Sequence, residues 1–391
     1  MRAVRLVART VRGVESLAAR EISGVGVVES VGHREVWFSA VPGPAVLGLR
    51  CVDDVFLVAA VVPGIGRSRA DLRRLSDLDG HGVDGHGVGV RAVVRLREAF
   101  GFTGSSTVDV SASFLGRRNF TRYDVEDAVG VPLAARLGMA YAGRRDGRVP
   151  PAGGLSWRVT VVDDRAVVGL RIADRPLHRR PYRRVSRPGA LHPPVAAAMV
   201  RLAGPGARLL DPFCGTGTIG IEAVDAGTVG TGAGGARTTG TGAEGTWTTG
   251  IEAEGARTTG IGAAGAVPAV LGVDVDPGAI AAAVANTPVP GSVAWAVGDA
   301  GRLPVASGSV DVVVGNPPWG RQVAVAGAGG VGRFWGEVRR VLVPGGRAVL
   351  LVPDADPWVR GTGRRGLTVV ERRPIGLAGA RPEVVTLVAD W

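Results

Sequence analysis

From about residue 190 onward the chain alternates short apolar runs with helix-patterned stretches, and this alternation constrains its fold more than any other feature. The runs are Ala207–Phe213, Ala269–Val275, Val293–Val297, Val310–Gly315, Arg347–Val352, Leu367–Arg372 and Val384–Ala389. Apolar runs of five to seven residues read as buried strands, and helical chain between most of them implies a parallel, doubly wound α/β sheet. The last two runs have too little chain between them for a crossover helix, so they are expected to pair antiparallel.

Ahead of this lies a mixed α+β region. Val4–Ala8, Glu35–Ser39, Val55–Val62 and Thr107–Ser113 read as strands, and Gly13–Ser23, Pro42–Arg50 and Tyr123–Leu137 as helices. Trp157–Val162 and Ala166–Ile172 flank Asp163-Asp164, a hairpin signal. Asp79–Gly89 reads as a loop. One segment fits neither half. Gly227–Ala266 is nearly all Gly, Ala, Thr and Glu, with Thr-Thr-Gly returning every ten residues. It lacks apolar positions for a core and reads as a disordered insert, tolerable because lengthening a loop costs little closure entropy.

Charge divides the 391 residues unevenly. Net charge is +11, and all 46 basic residues are Arg. Residues 1–190 hold 30 Arg against 19 acids, whereas residues 191–391 hold 16 of each. A GC-rich codon bias accounts for Arg over Lys, but not for a one-sided excess. Arg makes bidentate contacts to phosphate and stacks on bases, so the basic half is expected to grip nucleic acid. Two cysteines, Cys51 and Cys214, exclude a disulfide scaffold or a Cys-based zinc cluster and suit a reducing cytoplasm. The start carries no apolar signal core, and no apolar run is long enough to span a bilayer. No heptad or unexplained apolar stripe calls for self-association, so a monomer is expected.

The chemistry concentrates at the carboxyl ends of the first four of these strands. After the first, Asp211-Pro212-Phe213-Cys214-Gly215-Thr216-Gly217-Thr218 joins strand to helix through glycines, a nucleotide-binding turn. No Gly-Lys-Ser/Thr follows, so it is not a P-loop, and the spacing is not that of a dinucleotide site. An acid just before the glycines would repel a pyrophosphate but suits a ligand bearing an amine and a sulfonium, which is S-adenosylmethionine. Asp211, Phe213, Gly215, Gly217 and Thr218 are the cofactor candidates here. Asp274 after the second strand, with Asp276 as second choice, suits a ribose diol. Asp299 with Ala300 after the third suits an adenine amine.

After the fourth strand comes Asn316-Pro317-Pro318-Trp319. An exocyclic base amine is a poor nucleophile because its lone pair is delocalised into the ring. Two acceptors aimed at its hydrogens, the Asn316 side-chain oxygen and the Pro317 carbonyl, localise that pair, while the prolines stiffen the loop. Trp319 offers a face on which an extruded base stacks.

These motifs resemble a known group. Residues 1–391 are similar to the THUMP-containing class I RNA methyltransferases that make N2-methylguanosine, related to the tRNA guanine-6 enzymes. The likeness rests on Asp211–Thr218, on Asn316–Trp319 followed by Gly320-Arg321, and on Leu177–Arg183 at the family's basic junction. Val110–Phe120 resembles a THUMP segment, and Leu191–Ala196 the segment beside the cofactor's methionine end. Trp319 stands where Tyr is usual, the Gly/Thr repeat is foreign to the family, and no Lys serves phosphate.

The resemblance implies an N-terminal region over 1–170 with a THUMP-like RNA-binding domain, a basic linker over 171–190, and a seven-stranded Rossmann-like methyltransferase domain over 191–391 interrupted at about 227–266. It implies methyl transfer to N2 of a guanosine in tRNA. Arg117, Arg118, Arg179, Arg180, Arg183 and Arg184 are the expected RNA contacts. A ribosomal RNA enzyme, a DNA amino-methyltransferase, a protein glutamine methyltransferase and an RNA-binding protein with a decayed catalytic domain are the alternatives. Cys214 is read as packing, His81 and His86 as loop residues, and His178 and His192 as locally hydrogen-bonded.

Overall fold

A computed structural model describes residues 2–78, 89–204, 208–225, 269–319, 330–377 and 379–390. The repeat at 227–266, His81 and His86 in their loop, and Gly320-Arg321 lie outside the described residues. The chain forms two compact units: Met1–Thr10 with Ala18–His178, and Val11–Leu17 with Arg179–Trp391. Compact structure therefore changes hands inside the stretch 171–190, between His178 and Arg179.

The first unit is built on one mixed sheet. In chain order the elements are β1 (Val4–Arg9), α1 (Glu15–Ile22), β2 (Val27–Gly32), β3 (Glu35–Ala40), α2 (Pro44–Leu47), β4 (Asp54–Val62), α3 (Val90–Glu98), β5 (Thr107–Phe114), α4 (Arg122–Leu137), β6 (Ala140–Tyr141), β7 (Leu155–Val162) and β8 (Arg165–Arg171). The strand order is β2-β3-β1-β4-β8-β7-β5-β6. The β7–β8 hairpin turns at Asp163-Asp164, with Asp163 in the left-handed region at φ 53°, a conformation Asp tolerates. Thr121 and Asp124 cap α4 reciprocally, which is why that helix starts where Asp124 marked it. Sequence patterning missed β2, whose residues are mostly exposed, and α3, whose apolar stripe is short.

The second unit contains α5 (Pro193–Ala203), β9 (Leu209–Asp211), α6 (Thr218–Asp225), β10 (Val270–Asp274), α7 (Pro277–Asn286), β11 (Ala294–Val297), β12 (Val310–Gly315), α8 (Gly330–Val341), β13 (Leu342–Val352), α9 (Ala355–Val359), β14 (Leu367–Pro374) and β15 (Glu383–Ala389). Its seven strands run β11-β10-β9-β12-β13-β15-β14. The first five are parallel, and β15 lies antiparallel between β13 and β14. The order reverses between β9 and β12, and a crevice opens at such a switch point, at the carboxyl ends of the strands. Below it, Phe334 meets Trp335, Trp358 and Phe213 with ring centroids 5.2, 6.1 and 5.2 Å away. Each such pair is worth about 0.5–1.5 kcal/mol beyond its burial, and Phe213 ties the Asp211–Thr218 turn to this aromatic cluster. Among the described residues no helix is long and apolar enough to cross a membrane.

Candidate functional site

A cavity of about 830 Å³ occupies the switch point. Every sequence-expected cofactor residue except Gly217 lines it, as do Asn316, Pro317, Pro318 and Trp319. Gly217 lies behind the wall at φ 84°, and a Cβ there would stand 2.7 Å from the Trp295 ring. A Cβ at Gly272 would meet that ring at 2.2 Å. Two glycines from different elements thus make room for one indole, anchored by its Nε1 donating to Thr287 Oγ1 at 2.9 Å.

Backbone hydrogen bonds shape the turn. Cys214 N–H donates to the Val273 carbonyl at 3.0 Å and Gly217 N–H to the Cys214 carbonyl at 2.8 Å, while Gly215 takes φ 52°. Asp274 ties the first two strand ends together: Oδ2 accepts from Gly215 N–H at 2.9 Å and Oδ1 from Asp276 N–H at 3.0 Å. Its remaining lone pairs stay available to a diol, since a carboxylate accepts about four hydrogen bonds. Asp276 caps α7 through Gly278 N–H and is ion-paired with Arg187. Asp299 Oδ1 accepts from Gly301 N–H at 2.7 Å and holds Ala300 against the wall.

Two oxygens stand apart. Asp211 Oδ1 accepts from Phe213 N–H at 3.1 Å, but Oδ2 is buried without a hydrogen-bond partner. Burial pushes the Asp211 carboxyl up to about 8, helped by the nearby Asp274 charge and opposed by the Phe213 N–H. Asn316 Oδ1 is likewise buried and unpartnered, whereas its Nδ2 donates to the Gly189 carbonyl at 3.4 Å. Leaving such groups unpaired costs about 1–3 kcal/mol each, more for a charge, so a ligand that donates to either oxygen would relieve that cost. Trp319 is 38% exposed, with its Nε1 donating to the Leu351 carbonyl at 3.4 Å. Cys214 is buried and its thiol is pushed well up by burial and by Asp211 and Asp274, which leaves a packing residue and not a nucleophile.

The expected RNA contacts divide. Arg117, Arg179 and Arg184 are exposed, and Arg183 is half-buried. Arg118 staples loops, with Nη1 donating to the carbonyls of Ile65 and Gly66 at 2.8 and 2.7 Å. Arg180 corrects the sequence reading: it is buried, its Nε donating at 2.9 Å to Glu222, which also accepts from Tyr182 Oη at 2.7 Å. A guanidinium so enclosed holds the segment to α6 and has no free face for phosphate. His178 Nδ1 lies 3.1 Å from the Asp53 carbonyl, a partner 125 positions away in the chain, and His192 starts α5 at the cavity wall.

Sequence reasoning missed Trp295, Glu222, Asn286, Arg187 and Gly189. A signal existed for one, since Arg187-Pro188-Gly189-Ala190 spells a tight turn. The others are recognisable only by what they touch.

Known proteins show the same architecture. The chain is 38% identical over 122 residues to the tRNA (guanine(6)-N2)-methyltransferase of Thermus thermophilus, covering 31% of this chain and 34% of that protein. It is 26% identical over 230 residues to the enzyme of the same name from Archaeoglobus fulgidus, covering 56% and 53%. The chain thus spans about a third to a half of the length of these curated relatives. In three dimensions it is similar to the crystal structure of TrmN from Thermus thermophilus, with a TM-score of 0.65 and 24% identity over 98% of this chain and 99% of that one. Residues 180–375, half of the chain and all of the cavity lining except Leu377 and Ala380, match one family; the chain belongs to UPF0020, the RMKL-like methyltransferase domain.

Proposed function

We propose that the chain is an S-adenosylmethionine-dependent RNA methyltransferase that modifies the exocyclic N2 of a guanosine in tRNA. The observation that carries this reading is the pair of buried, unpartnered oxygens, Asp211 Oδ2 and Asn316 Oδ1, on the walls of one cavity at the switch point. The residues lining the cavity fit the cofactor: Asp211 would meet its cationic methionine end, Gly215 would let backbone come close, Asp274 would accept from the ribose diol, and Asp299 would accept from the adenine amine. When bound, the cofactor supplies an electrophilic methyl group. Asn316 Oδ1 and the Pro317 carbonyl accept the two hydrogens of the substrate amine and localise its lone pair, Trp319 stacks the extruded base, and the prolines limit loop motion.

The relatives named for tRNA guanine-N2 methylation favour guanosine in tRNA over the other amines this site suits. In this reading residues 1–170 form the THUMP-type RNA grip and the exposed Arg117, Arg179 and Arg184 contact phosphate. The test is mass spectrometry of tRNA nucleosides from a deletion strain and its parent. Loss of N2-methylguanosine, restored by the wild-type gene and not by Asn316→Ala, is the expected outcome. In vitro, Asn316→Ala lowers kcat by about 10²–10³-fold, the scale for losing one preorganised contact to the reacting group, and leaves cofactor affinity unchanged. Unaltered N2-methylguanosine in the deletion strain sinks the tRNA assignment.

A further inference from the structure

Arg187-Pro188-Gly189-Ala190 forms a type II turn. Proline stands second, Gly189 stands third at φ 80°, and Ala190 N–H donates to the Arg187 carbonyl at 3.1 Å. A Cβ at Gly189 would meet nothing within 4 Å, so glycine is required there for its backbone conformation and not for space.

The chain leading into this turn is pinned. Asn286, 1% exposed at the end of α7, accepts through Oδ1 from the N–H groups of Arg184 and Val185 at 2.9 and 2.8 Å. Its Nδ2 donates to the carbonyls of Val185 and Thr216 at 2.9 and 3.0 Å. The whole bonding capacity of the amide is used, and one bond reaches the Asp211–Thr218 turn itself. Arg187 then pairs with Asp276 at the ribose side of the cavity.

Held in this way, the segment presents the Gly189 carbonyl to Asn316 Nδ2 at 3.4 Å. A carbonyl only accepts, so the contact decides which end of the Asn316 amide faces the cavity. The nitrogen turns to Gly189, and Oδ1 is left buried and unpartnered at the cavity wall. The opposite flip would aim N–H groups at the hydrogens of an incoming amine and would remove the acceptor.

We infer that Arg184–Gly189, pinned by Asn286, is the positioning element for Asn316, and that the Gly189 carbonyl fixes the amide orientation on which amine methylation depends. This rests on the proposed role of Asn316 as acceptor for the reacting amine. Asn286 and Gly189 act through Asn316 and touch neither substrate nor cofactor in this scheme.

The test compares Gly189→Ala, Gly189→Asn and Asn316→Ala in the full chain. Ala is strained at a positive φ and displaces the carbonyl, whereas Asn adopts that φ in type II turns. Methyl transfer is measured on total tRNA from the deletion strain, and S-adenosylhomocysteine affinity is measured by calorimetry. Gly189→Ala is expected to lower kcat on the order of 10- to 100-fold, the effect of a small misplacement at a reacting centre. KM for tRNA and the S-adenosylhomocysteine Kd stay at wild-type values, and Gly189→Asn recovers most of the rate. Wild-type kcat in Gly189→Ala beside an inactive Asn316→Ala overturns the positioning role and leaves the acceptor role standing. Equal losses in both Gly189 variants also overturn it, because added bulk at the cavity and not carbonyl orientation would then be the cause. Full activity of Asn316→Ala overturns both.

Discussion

The turn Asp211–Thr218 and the segment Arg179–Ala190 line the same cavity or lead into it, yet they disclose their roles very differently. In the turn, residue type and function are bound together locally. Gly215 and Gly217 take positive φ, and an acid, Asp211, ends an apolar strand. In the segment, arginines of identical chemistry serve opposite ends: Arg180 is enclosed against Glu222, Arg187 pairs with Asp276, and Arg179 and Arg184 face solvent. A guanidinium's role is set by what surrounds it, and a run of arginines does not state its surroundings.

The widest test of this contrast is stability. Arg180→Met removes the guanidinium that donates to the fully buried Glu222, and breaking a buried pair from one side costs about 3–5 kcal/mol. The double variant Arg180→Met/Glu222→Leu regains much of that loss, because an apolar pair needs no desolvation of charge. Denaturant unfolding checks both, and an unchanged midpoint in the single variant would erase the distinction between the arginines.

A second test sharpens the reading of the turn. The Asp211 carboxyl, raised to about 8, is largely protonated at neutral pH in the ligand-free protein. Its folded value lies above its unfolded one, so its contribution to stability is full below the unfolded value and is lost as pH rises to about 8. A cationic ligand needs the carboxylate, so affinity runs the other way and tightens by up to about tenfold per pH unit below 8. Calorimetry with S-adenosylmethionine at pH 6, 7 and 8 reads this directly. Asp211→Asn is expected to bind weakly with that slope removed, and a flat wild-type profile would mean the cation lies elsewhere.

The smallest effect belongs to the exposed arginines. Arg184→Ala leaves the melting temperature in place and weakens tRNA binding, lowering the slope of log affinity against log salt by about one unit at most. An unaltered salt slope would remove Arg184 from the RNA surface.

The apolar runs foretold the central strands of the second unit because a strand buried on both faces is apolar throughout, as Val312–Gly315 and Ala348–Val352 are. Edge strand β2 carried no such requirement and went unseen. In the site, Asp211, Asp274, Asp299 and Asn316 were legible because each ends a strand, and strand ends in a parallel sheet converge on one edge. Trp295 and Asn286 were not. An aromatic residue in a strand and an Asn at a helix end are ordinary in sequence, and only contact with Gly217, Gly272, Thr216 and Val185 gives them a part in the site.

By itself the sequence determined the seven strands of the second sheet and the residue types at their carboxyl ends, since periodicity, glycine conformation and turn chemistry act over a few neighbouring residues. Tertiary structure alone decided that Arg180 is enclosed, that Asp211 Oδ2 and Asn316 Oδ1 lack partners, and that Gly189 faces Asn316 across 127 positions of chain. Burial and hydrogen-bond pairing are properties of the packed molecule, and no local pattern encodes which distant group will complete them.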